Sequence, residues 1–297
     1  MERSLSEKVE KLRKRLWAAA SVTAALAAVV GPVDAAADSA EPGDGGAHTD
    51  LVGGHPAAGD TSWAVSLRFD APGITAAHSC GGVLVFPDWV ATAAHCVTAP
   101  PVEQGTDRCG NPVVPFADKE RFSIRVGSKS RVGGGEEREV TKIVPHPDWR
   151  WGGDPMSDVA MLRLSHPVEA QPIPLAGKAA RRGDRVSLYG WGRNSPSGCG
   201  SLPTLLQQLD TRVVGDASCR GGGITRYEIC TANPNGTDGP GPGDSGGPAV
   251  QVVDGVPRLV GLCSREGGES QYPGVEPSVY TSAPRYRTFM YDTARNG

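Results

Sequence analysis

One serine, Ser245, stands in the glycine- and proline-rich run GPGPGDSGGP, residues 239–248. A serine hydroxyl becomes an effective nucleophile only when a neighbouring base removes its proton. Attack on a carbonyl group also creates an oxyanion, which needs backbone N–H groups aimed at one point. Glycines on both sides of Ser245 let the backbone turn in this way. The run therefore predicts nucleophilic chemistry, provided that a base and an acid lie elsewhere; alone it also fits a simple glycine turn.

Two further motifs offer that base and that acid. His95 follows an apolar run in ATAAHC and adjoins Cys96, although by itself it fits a histidine buried in the core equally well. Asp158 opens the apolar run DVAMLRL. A carboxylate at the entrance of a buried strand is costly unless something pairs with it. The alternative is a turn residue, which is how we interpret Asp154.

Short strands must position these residues. Runs of strand length recur from Leu51 onward, separated by Gly, Pro, Asn or Asp, and only the tail APRYRTFMYDTARNG predicts a helix. The runs span residues 63–69, 81–86, 89–95, 122–127, 139–146, 158–164, 184–192, 207–214, 247–253, 258–263 and 277–282. The pattern predicts an all-β barrel or sandwich fold in one domain, residues 51–297.

The first 50 residues are predicted to precede this domain. A basic start, the apolar run 16–30 and a small-residue site before Asp38 are typical of a secretory signal over residues 1–37. The apolar run is short for a membrane span, so an uncleaved anchor is the less favoured alternative. Residues 38–50 are small, polar and acidic, as in a pro-segment or linker. We therefore predict a secreted protein without membrane attachment after the signal is removed.

The composition limits which partners and cofactors can be expected. The formal net charge of −3 gives no indication of a nucleic-acid partner. Seven cysteines follow the predicted signal, which indicates disulfides, and the odd number leaves at least one free or paired between chains. There is no C-x-x-C pair and no clustered Cys/His set, so no metal and no cofactor is predicted.

The motifs TAAHC, DVAML and GDSGGP, in this chain order, resemble those of the chymotrypsin/trypsin-type serine proteases. The resemblance covers about residues 51–285 and includes LVGG, GWG and VYT; the glycine-rich motifs look like those of secreted actinobacterial members. It implies two packed six-stranded antiparallel β-barrels with a C-terminal helix and the active site between them. It also implies a secreted serine endopeptidase that acts on polypeptides, expected to be a monomer.

The resemblance assigns a role to each motif residue. Ser245 would be the nucleophile, His95 the general base and then acid, and Asp158 the group that orients His95. The backbone N–H groups of Gly243 and Ser245 would form the oxyanion hole. Ser264 matches a serine that hydrogen-bonds near the aspartate.

The same resemblance assigns a role to the motif LVGG at residues 51–54. In the family, cleavage before such a motif frees an α-amine that pairs with the acid preceding the nucleophile, here Leu51 and Asp244. The protein is thus predicted to be a zymogen, with an activating protease as a partner and an inhibitor protein as a further candidate. A trypsin-like enzyme would prefer Arg or Lys to Asp50 at this junction, so self-activation is not expected.

Two departures affect the substrate pocket. Family members usually carry a cysteine where this chain has Gly241, and the partner of that cysteine is missing as well. The pocket floor has Gly239 instead of the Asp of trypsin-like members, with Asp238 one residue earlier, and Arg265 and Glu266 lie where Trp and Gly are common. A basic preference through Asp238 or Glu266 and a small-apolar preference both stay open.

The resemblance also implies two disulfides, one of them beside the histidine. These are Cys80–Cys96 and Cys219–Cys230. Cys109 lies in a long insertion after the histidine, and a bridge to Cys199 is one option, which would leave Cys263 as a buried free thiol. Glu136, Glu137 and Glu139 lie roughly where some relatives bind calcium, but their spacing favours a solvated charge run.

Two rival functions remain in view. A catalytically inactive homologue that binds a partner would usually have lost a triad residue, and the missing pocket disulfide is the feature that favours it. An esterase built on G-x-S-x-G would place its histidine after the serine. No histidine follows Ser245, which excludes that fold.

Overall fold

The structure is a computed structural model that describes residues 51–101, 105–153, 156–270 and 272–297. The predicted signal and pro-segment, and the turn residue Asp154, lie outside these ranges. The described ranges contain no helix that is long and apolar enough to cross a membrane. Their strands are β1 (His55–Pro56), β2 (Ala64–Ala71), β3 (Ile74–Phe86), β4 (Trp89–Thr92), β5 (Arg121–Val126), β6 (Glu136–Pro145), β7 (Ala160–Leu164), β8 (Arg185–Gly190), β9 (Gln207–Val214), β10 (Glu228–Thr231), β11 (Pro248–Val253), β12 (Val256–Glu266) and β13 (Ser278–Ser282), and helix α1 is Arg287–Asn296.

The first barrel closes in the antiparallel order β2-β3-β4-β7-β6-β5. Its strands alternate or run continuously apolar, so the inward side chains of all six meet in one core. β4 pairs with β7, and Thr92 lies opposite Ala160. Because His95 follows Thr92 by three residues and Asp158 precedes Ala160 by two, this pairing brings the two functional residues to one end of the barrel.

The second barrel contains β9-β10-β13-β12-β11-β8, closed by the β8–β9 pairing, and the short β1 adds to β9. The turn that carries Ser245 leads into β11. Two backbone hydrogen bonds fix this turn on β12: Gly246 N–H donates to the Cys263 carbonyl at 2.7 Å, and Cys263 N–H donates to the Gly247 carbonyl at 2.8 Å. The predicted fold of two six-stranded antiparallel barrels with a C-terminal helix is confirmed.

The predicted strands are all present with shifted ends, and two strands were missed. β1 is only two residues long, and β10, with the sequence EICT, carries no alternation that local reading can detect. β3 is much longer than predicted because the polar stretch before Cys80 pairs with β2 and completes the barrel wall.

Three disulfides staple the described chain. They are Cys80–Cys96, Cys109–Cys199 and Cys219–Cys230. Cys263 is a buried free thiol. The second bridge joins the insertion after the histidine to the loop after GWG, a separation of 90 residues. Glu136, Glu137 and Glu139 each pair with an arginine, so their charges are largely compensated within β2, β5 and β6.

Candidate active site

His95 and Asp158 form a doubly hydrogen-bonded pair. The Nδ1 of His95 lies 2.8 Å from Asp158 Oδ2, and the backbone N–H of His95 donates to Oδ1 at 3.0 Å. The hydroxyl of Ser264 donates to Oδ2 at 2.7 Å, and Thr281 Oγ1 donates to the Asp158 carbonyl at 2.9 Å. The carboxylate is 1% exposed. With Nδ1–H donating to Asp158, the Nε2 lone pair of His95 is the one free to accept a proton.

The two groups stabilise each other's charged forms. Burial opposes the imidazolium of His95, but the charge of Asp158 and its hydrogen bond outweigh burial, so the pKa of His95 lies above its ordinary value. Burial also opposes ionisation of Asp158, yet the charge and hydrogen bonds of His95 and the Ser264 hydroxyl hold the pKa of that carboxyl below its ordinary value. The arrangement suits a histidine that must take up a proton during a reaction.

Ser245 is held against the end of β4. Its carbonyl accepts a hydrogen bond from Gly81 N–H at 2.8 Å. The next residue, Gly246, packs so closely that an added Cβ would lie 2.9 Å from the Ala93 nitrogen. Since Ala93 stands two residues before His95, these contacts join the serine turn of the second barrel to the histidine turn of the first. Ser245 itself is half-buried.

Two neighbouring backbone N–H groups are left available in this turn. Within the described residues, the N–H groups of Gly243 and Ser245 have no acceptor, whereas those of Asp244 and Gly246 donate to carbonyls at 3.0 and 2.7 Å. Gly243 adopts φ +105°, a conformation that essentially only glycine reaches without strain. Free N–H groups of a nucleophilic serine and of a residue just before it are the kind of donor that an oxyanion needs.

Comparisons with known proteins give the family of the chain. The Trypsin family profile matches residues 51–290. The chain is 31% identical to a trypsin of Sus scrofa over 254 residues, covering 82% of this chain and 95% of that protein. It is 30% identical over 233 residues to a vitellin-degrading protease of Bombyx mori, covering 74% of this chain and 78% of that protein.

The chain belongs to the trypsin family of serine proteases. Among solved structures it is similar to neuropsin, a serine protease expressed in the limbic system of mouse brain, with a TM-score of 0.62, 27% identity, and coverage of 79% of this chain and 95% of that one. The protein is therefore a serine-type endopeptidase, a hydrolase that acts on polypeptides. The finer actinobacterial placement stays a prediction.

Sequence reasoning about this protease missed His78. Its Nδ1 accepts from the Ser66 hydroxyl at 2.8 Å, and its Nε2–H donates to the Gly243 carbonyl at 3.1 Å. Burial lowers the pKa of His78 to about 4, so the ring stays neutral with one donor and one acceptor. It thereby fixes the carbonyl group of Gly243, the residue whose own N–H is a proposed oxyanion donor. The only sequence signal was its position two residues before Cys80, whose disulfide partner adjoins His95.

An exposed tryptophan at the mouth of the site was also missed. Trp151 is 41% exposed and lies edge-on to His95, with ring centroids 6.2 Å apart. Its ring lies tilted at 59° against that of the buried Trp149, with centroids 5.4 Å apart, and Trp149 Nε1–H donates to the Thr98 hydroxyl at 3.1 Å. This anchoring holds an aromatic surface next to the histidine. The repeated tryptophans in DWRWGG were the available signal.

Asp244 of the protease is buried without a cation. It is 1% exposed and accepts hydrogen bonds from the backbone N–H groups of Gly192 and Gly241 at 2.7 and 2.8 Å. No ion pair to it exists among the described residues. Burial raises the pKa of Asp244 to about 6 in spite of the two hydrogen bonds. Leu51 and Val52 are also buried, and Val52 forms an isolated antiparallel β-bridge with Gly239.

The residues predicted for the substrate pocket separate into two groups. The carboxylate of Asp238 lies against Gly53 and accepts from Asn235 Nδ2 at 2.6 Å, so it faces the LVGG turn. Arg265 is ion-paired with the buried Glu228 at 2.6 Å. Gly239 and Glu266 remain, and both lie beside Ser278. Asp238 and Arg265 are therefore bound to other polar residues of the fold, Asn235 and Glu228 respectively.

Proposed function

We propose that this protease hydrolyses peptide bonds through Ser245, His95 and Asp158, with an acyl-enzyme intermediate. The proposal rests chiefly on the His95–Asp158 pair. The 2.8 Å bond from Nδ1–H orients the ring and sets its tautomer, and the 3.0 Å bond from the backbone N–H of His95 holds the carboxylate in place. The position of the Ser245 turn against the end of β4 adds the nucleophile.

In the proposed reaction, His95 Nε2 takes the hydroxyl proton as Ser245 Oγ attacks the substrate carbonyl carbon. The negative charge that forms on the carbonyl oxygen is stabilised by the N–H groups of Gly243 and Ser245. His95 then gives its proton to the leaving amine. Water enters, gives a proton to His95 and attacks the acyl group. His95 then returns that proton to Ser245 Oγ as the acyl–oxygen bond breaks, which releases the second product and restores Ser245 and His95. Asp158 stays ionised and stabilises the imidazolium in both halves.

We also propose that the chain is a zymogen that cleavage before Leu51 activates. The new α-amine would pair with Asp244, whose buried carboxylate lacks a cation in the described structure. Leu51 packs in the core cluster with Cys263 and Tyr280. Burial, and after it the negative charge of Asp244 among other neighbours, raises the pKa of both of these groups. The N-terminal turn and the carboxylate therefore share one buried region.

The backbone at the junction supports the same proposal. Leu51 has φ +59°, a left-handed conformation that costs a bulky residue about 1–2 kcal/mol. Because the Asp50–Leu51 peptide bond restrains rotation about the N–Cα bond of Leu51, cleavage of that bond would let Leu51 leave this conformation. An activating protease, an inhibitor protein and secretion complete the proposal; three disulfides fit an exported protein.

The test labels the nucleophile. The chain carries an engineered cleavage site before Leu51, is cut, and is treated with a fluorophosphonate, and its mass is measured intact and after digestion. We expect one adduct, on Ser245. It should be absent in His95→Ala and present in the matched variant His166→Ala, which alters an exposed histidine. Peptide hydrolysis should fall by about 10⁵–10⁶ in kcat in Ser245→Ala.

The outcome distinguishes the two functions. If the cut, folded chain takes up no adduct, the protease mechanism is wrong and an inactive, partner-binding homologue is favoured. If the uncut chain labels as fast as the cut chain, the triad stands but the zymogen proposal fails.

A further inference from the structure

Ser157, the residue directly before Asp158, holds an unfavourable backbone conformation. Its φ is +48°, in the left-handed region that residues other than glycine adopt at a cost in free energy. Its carbonyl accepts a hydrogen bond from Val159 N–H at 2.8 Å, which closes a tight turn across Asp158. Ser157 is 4% exposed, so the protein and not the solvent must hold this turn. Such a conformation persists only where the surrounding contacts fix it.

The hydroxyl of Tyr286 supplies one such contact. Tyr286 ends the short 3-10 helix Ala283–Tyr286, which joins β13 to α1. Its hydroxyl donates to Ser157 Oγ at 3.1 Å, and both residues are buried. Burial raises the pKa of Tyr286, so the hydroxyl keeps its proton and stays a donor. The rings of His146 and Tyr227 pack against the Tyr286 ring, with centroids 5.1 and 6.1 Å away, and hold it in place.

Two further hydrogen bonds hold the backbone on the other side of the same turn. Thr281 Oγ1 donates to the Asp158 carbonyl at 2.9 Å. The backbone N–H of His146 donates to the Val159 carbonyl, also at 2.9 Å. Three consecutive residues are therefore fixed, each by a partner from another part of the fold. The contact from Tyr286 is the one made to the left-handed residue itself.

We infer that Tyr286 is a positioning residue of the triad: its hydroxyl keeps Ser157 in the left-handed turn, and this turn places the Asp158 carboxylate. The placement matters because the two carboxylate oxygens must meet the backbone N–H and the Nδ1 of His95 at the same time. The inference rests on the proposed function at Ser245, and it extends the machinery around Asp158 to the segment that leads into the C-terminal helix.

A double-mutant cycle in the cut chain tests this coupling. Tyr286→Phe removes only the hydroxyl, and we expect kcat to fall by about 3- to 10-fold with KM unchanged. Ser157→Gly should cost less than Ser157→Ala, because glycine adopts a positive φ without strain and keeps the turn accessible. In the Ser157→Gly background, Tyr286→Phe should have no further effect. Tyr291→Phe, which alters a tyrosine of α1 that is 37% exposed, is the matched control.

The titration of His95 gives a readout that a merely structural role of Tyr286 would not move. Burial lowers the pKa of His95 and the charge of Asp158 raises it, so displacement of the carboxylate lowers the pKa. We therefore expect NMR of the His95 ring in the uncut chain, without turnover, to show a lower pKa in Tyr286→Phe. The acid limb of the kcat/KM profile of the cut chain should move to lower pH as well. The charge of Arg265 also lowers the pKa of His95, but none of these substitutions alters Arg265.

Urea unfolding of the same variants separates positioning from stability. If Tyr286→Phe unfolds more easily but keeps kcat and the His95 titration, the hydroxyl only fastens the C-terminal segment to the first barrel, and the inference is wrong. An equal loss of kcat from Tyr286→Phe with and without Ser157→Gly overturns it too. If the unsubstituted cut chain takes up no label at Ser245, the proposed function fails, whereas the titration of His95 still decides whether Tyr286 positions Asp158.

Discussion

Asp158 in the first barrel and Asp244 in the second are equally buried, each at 1% exposure, but their surroundings differ in charge. Asp158 meets His95 and the Ser264 hydroxyl, and its pKa lies below the ordinary value. Asp244 meets two backbone N–H groups and no cation among the described residues, and its pKa rises to about 6. Equal exposure thus goes with opposite pKa shifts, because Asp158 has His95 and three hydrogen bonds to its carboxylate, whereas Asp244 has only two backbone N–H groups among the described residues.

The contrast shows which part of the site is complete in the uncut chain. The partner of Asp158 is part of the fold, since the β4–β7 pairing carries His95 to it. The partner proposed for Asp244 does not exist until a peptide bond is cut. We therefore expect cleavage to change the surroundings of Asp244 and the oxyanion turn, and to leave the His95–Asp158 geometry as it is.

The largest expected effect comes from removing the charge of the first carboxylate. Asp158→Asn should lower kcat by about 10⁴, because an amide in its place favours the wrong tautomer of His95 and does not stabilise the imidazolium. Steady-state kinetics of the cut chain measures this effect, with KM little changed. A loss below about tenfold would contradict the role given to Asp158.

Removing the second carboxylate should lower the activity only after cleavage. In the cut chain, Asp244→Asn leaves the Leu51 amine without its anion, and the loss of a buried pair, about 3 kcal/mol, corresponds to a loss of about 10² in kcat/KM. In the uncut chain the same substitution should leave the residual activity unchanged. Equal losses in both forms would show that Asp244 supports the fold and has no part in activation.

The sequence predicted those features that local patterns carry. Strand-length runs predicted an all-β barrel or sandwich, and the family resemblance implied the two barrels. The motifs around Ser245 and His95 singled out residues that the structure brings together. His78 and Gly243 are 165 residues apart, and nothing in the chain near either residue marks their hydrogen bond. Likewise, the direction of Asp238 depends on the LVGG turn that packs against it. Contacts of this kind depend on how the two barrels pack together, and no local sequence pattern marks them.

The two carboxylates should also give opposite slopes of stability with pH. In the uncut chain the pKa of Asp244 is raised from 3.8 to about 6, so between these values the folded state binds more protons than the unfolded one. Its contribution is therefore full below pH 4 and is lost as the pH rises to 6, by about 3 kcal/mol. Asp158, with its lowered pKa, contributes stability above its ordinary value that is lost as the pH falls.

Urea unfolding of the uncut chain and of Asp244→Asn between pH 4 and 7 isolates the first slope, because all other groups are shared. The difference in free energy of unfolding should fall with rising pH. In the cut chain the α-amine should lower the pKa of Asp244 and remove or reverse that slope. An unchanged slope after cleavage would mean that the amine does not reach Asp244.

The smallest expected effect concerns the surroundings of Asp158 in the first barrel. Ser264→Ala removes one of the hydrogen bonds that hold Asp158 ionised, at 2.7 Å, and leaves both contacts to His95. A hydrogen bond to a charged group contributes about 1.5–3 kcal/mol at most, and water can replace part of it, so kcat should fall by about 3- to 10-fold with KM unchanged. Ser218→Ala, an exposed serine in the short 3-10 helix Asp216–Cys219, is the control. If Ser264→Ala costs as much as Asp158→Asn, the serine must be holding the carboxylate in position, and the charge of Asp158 alone would not account for the pair.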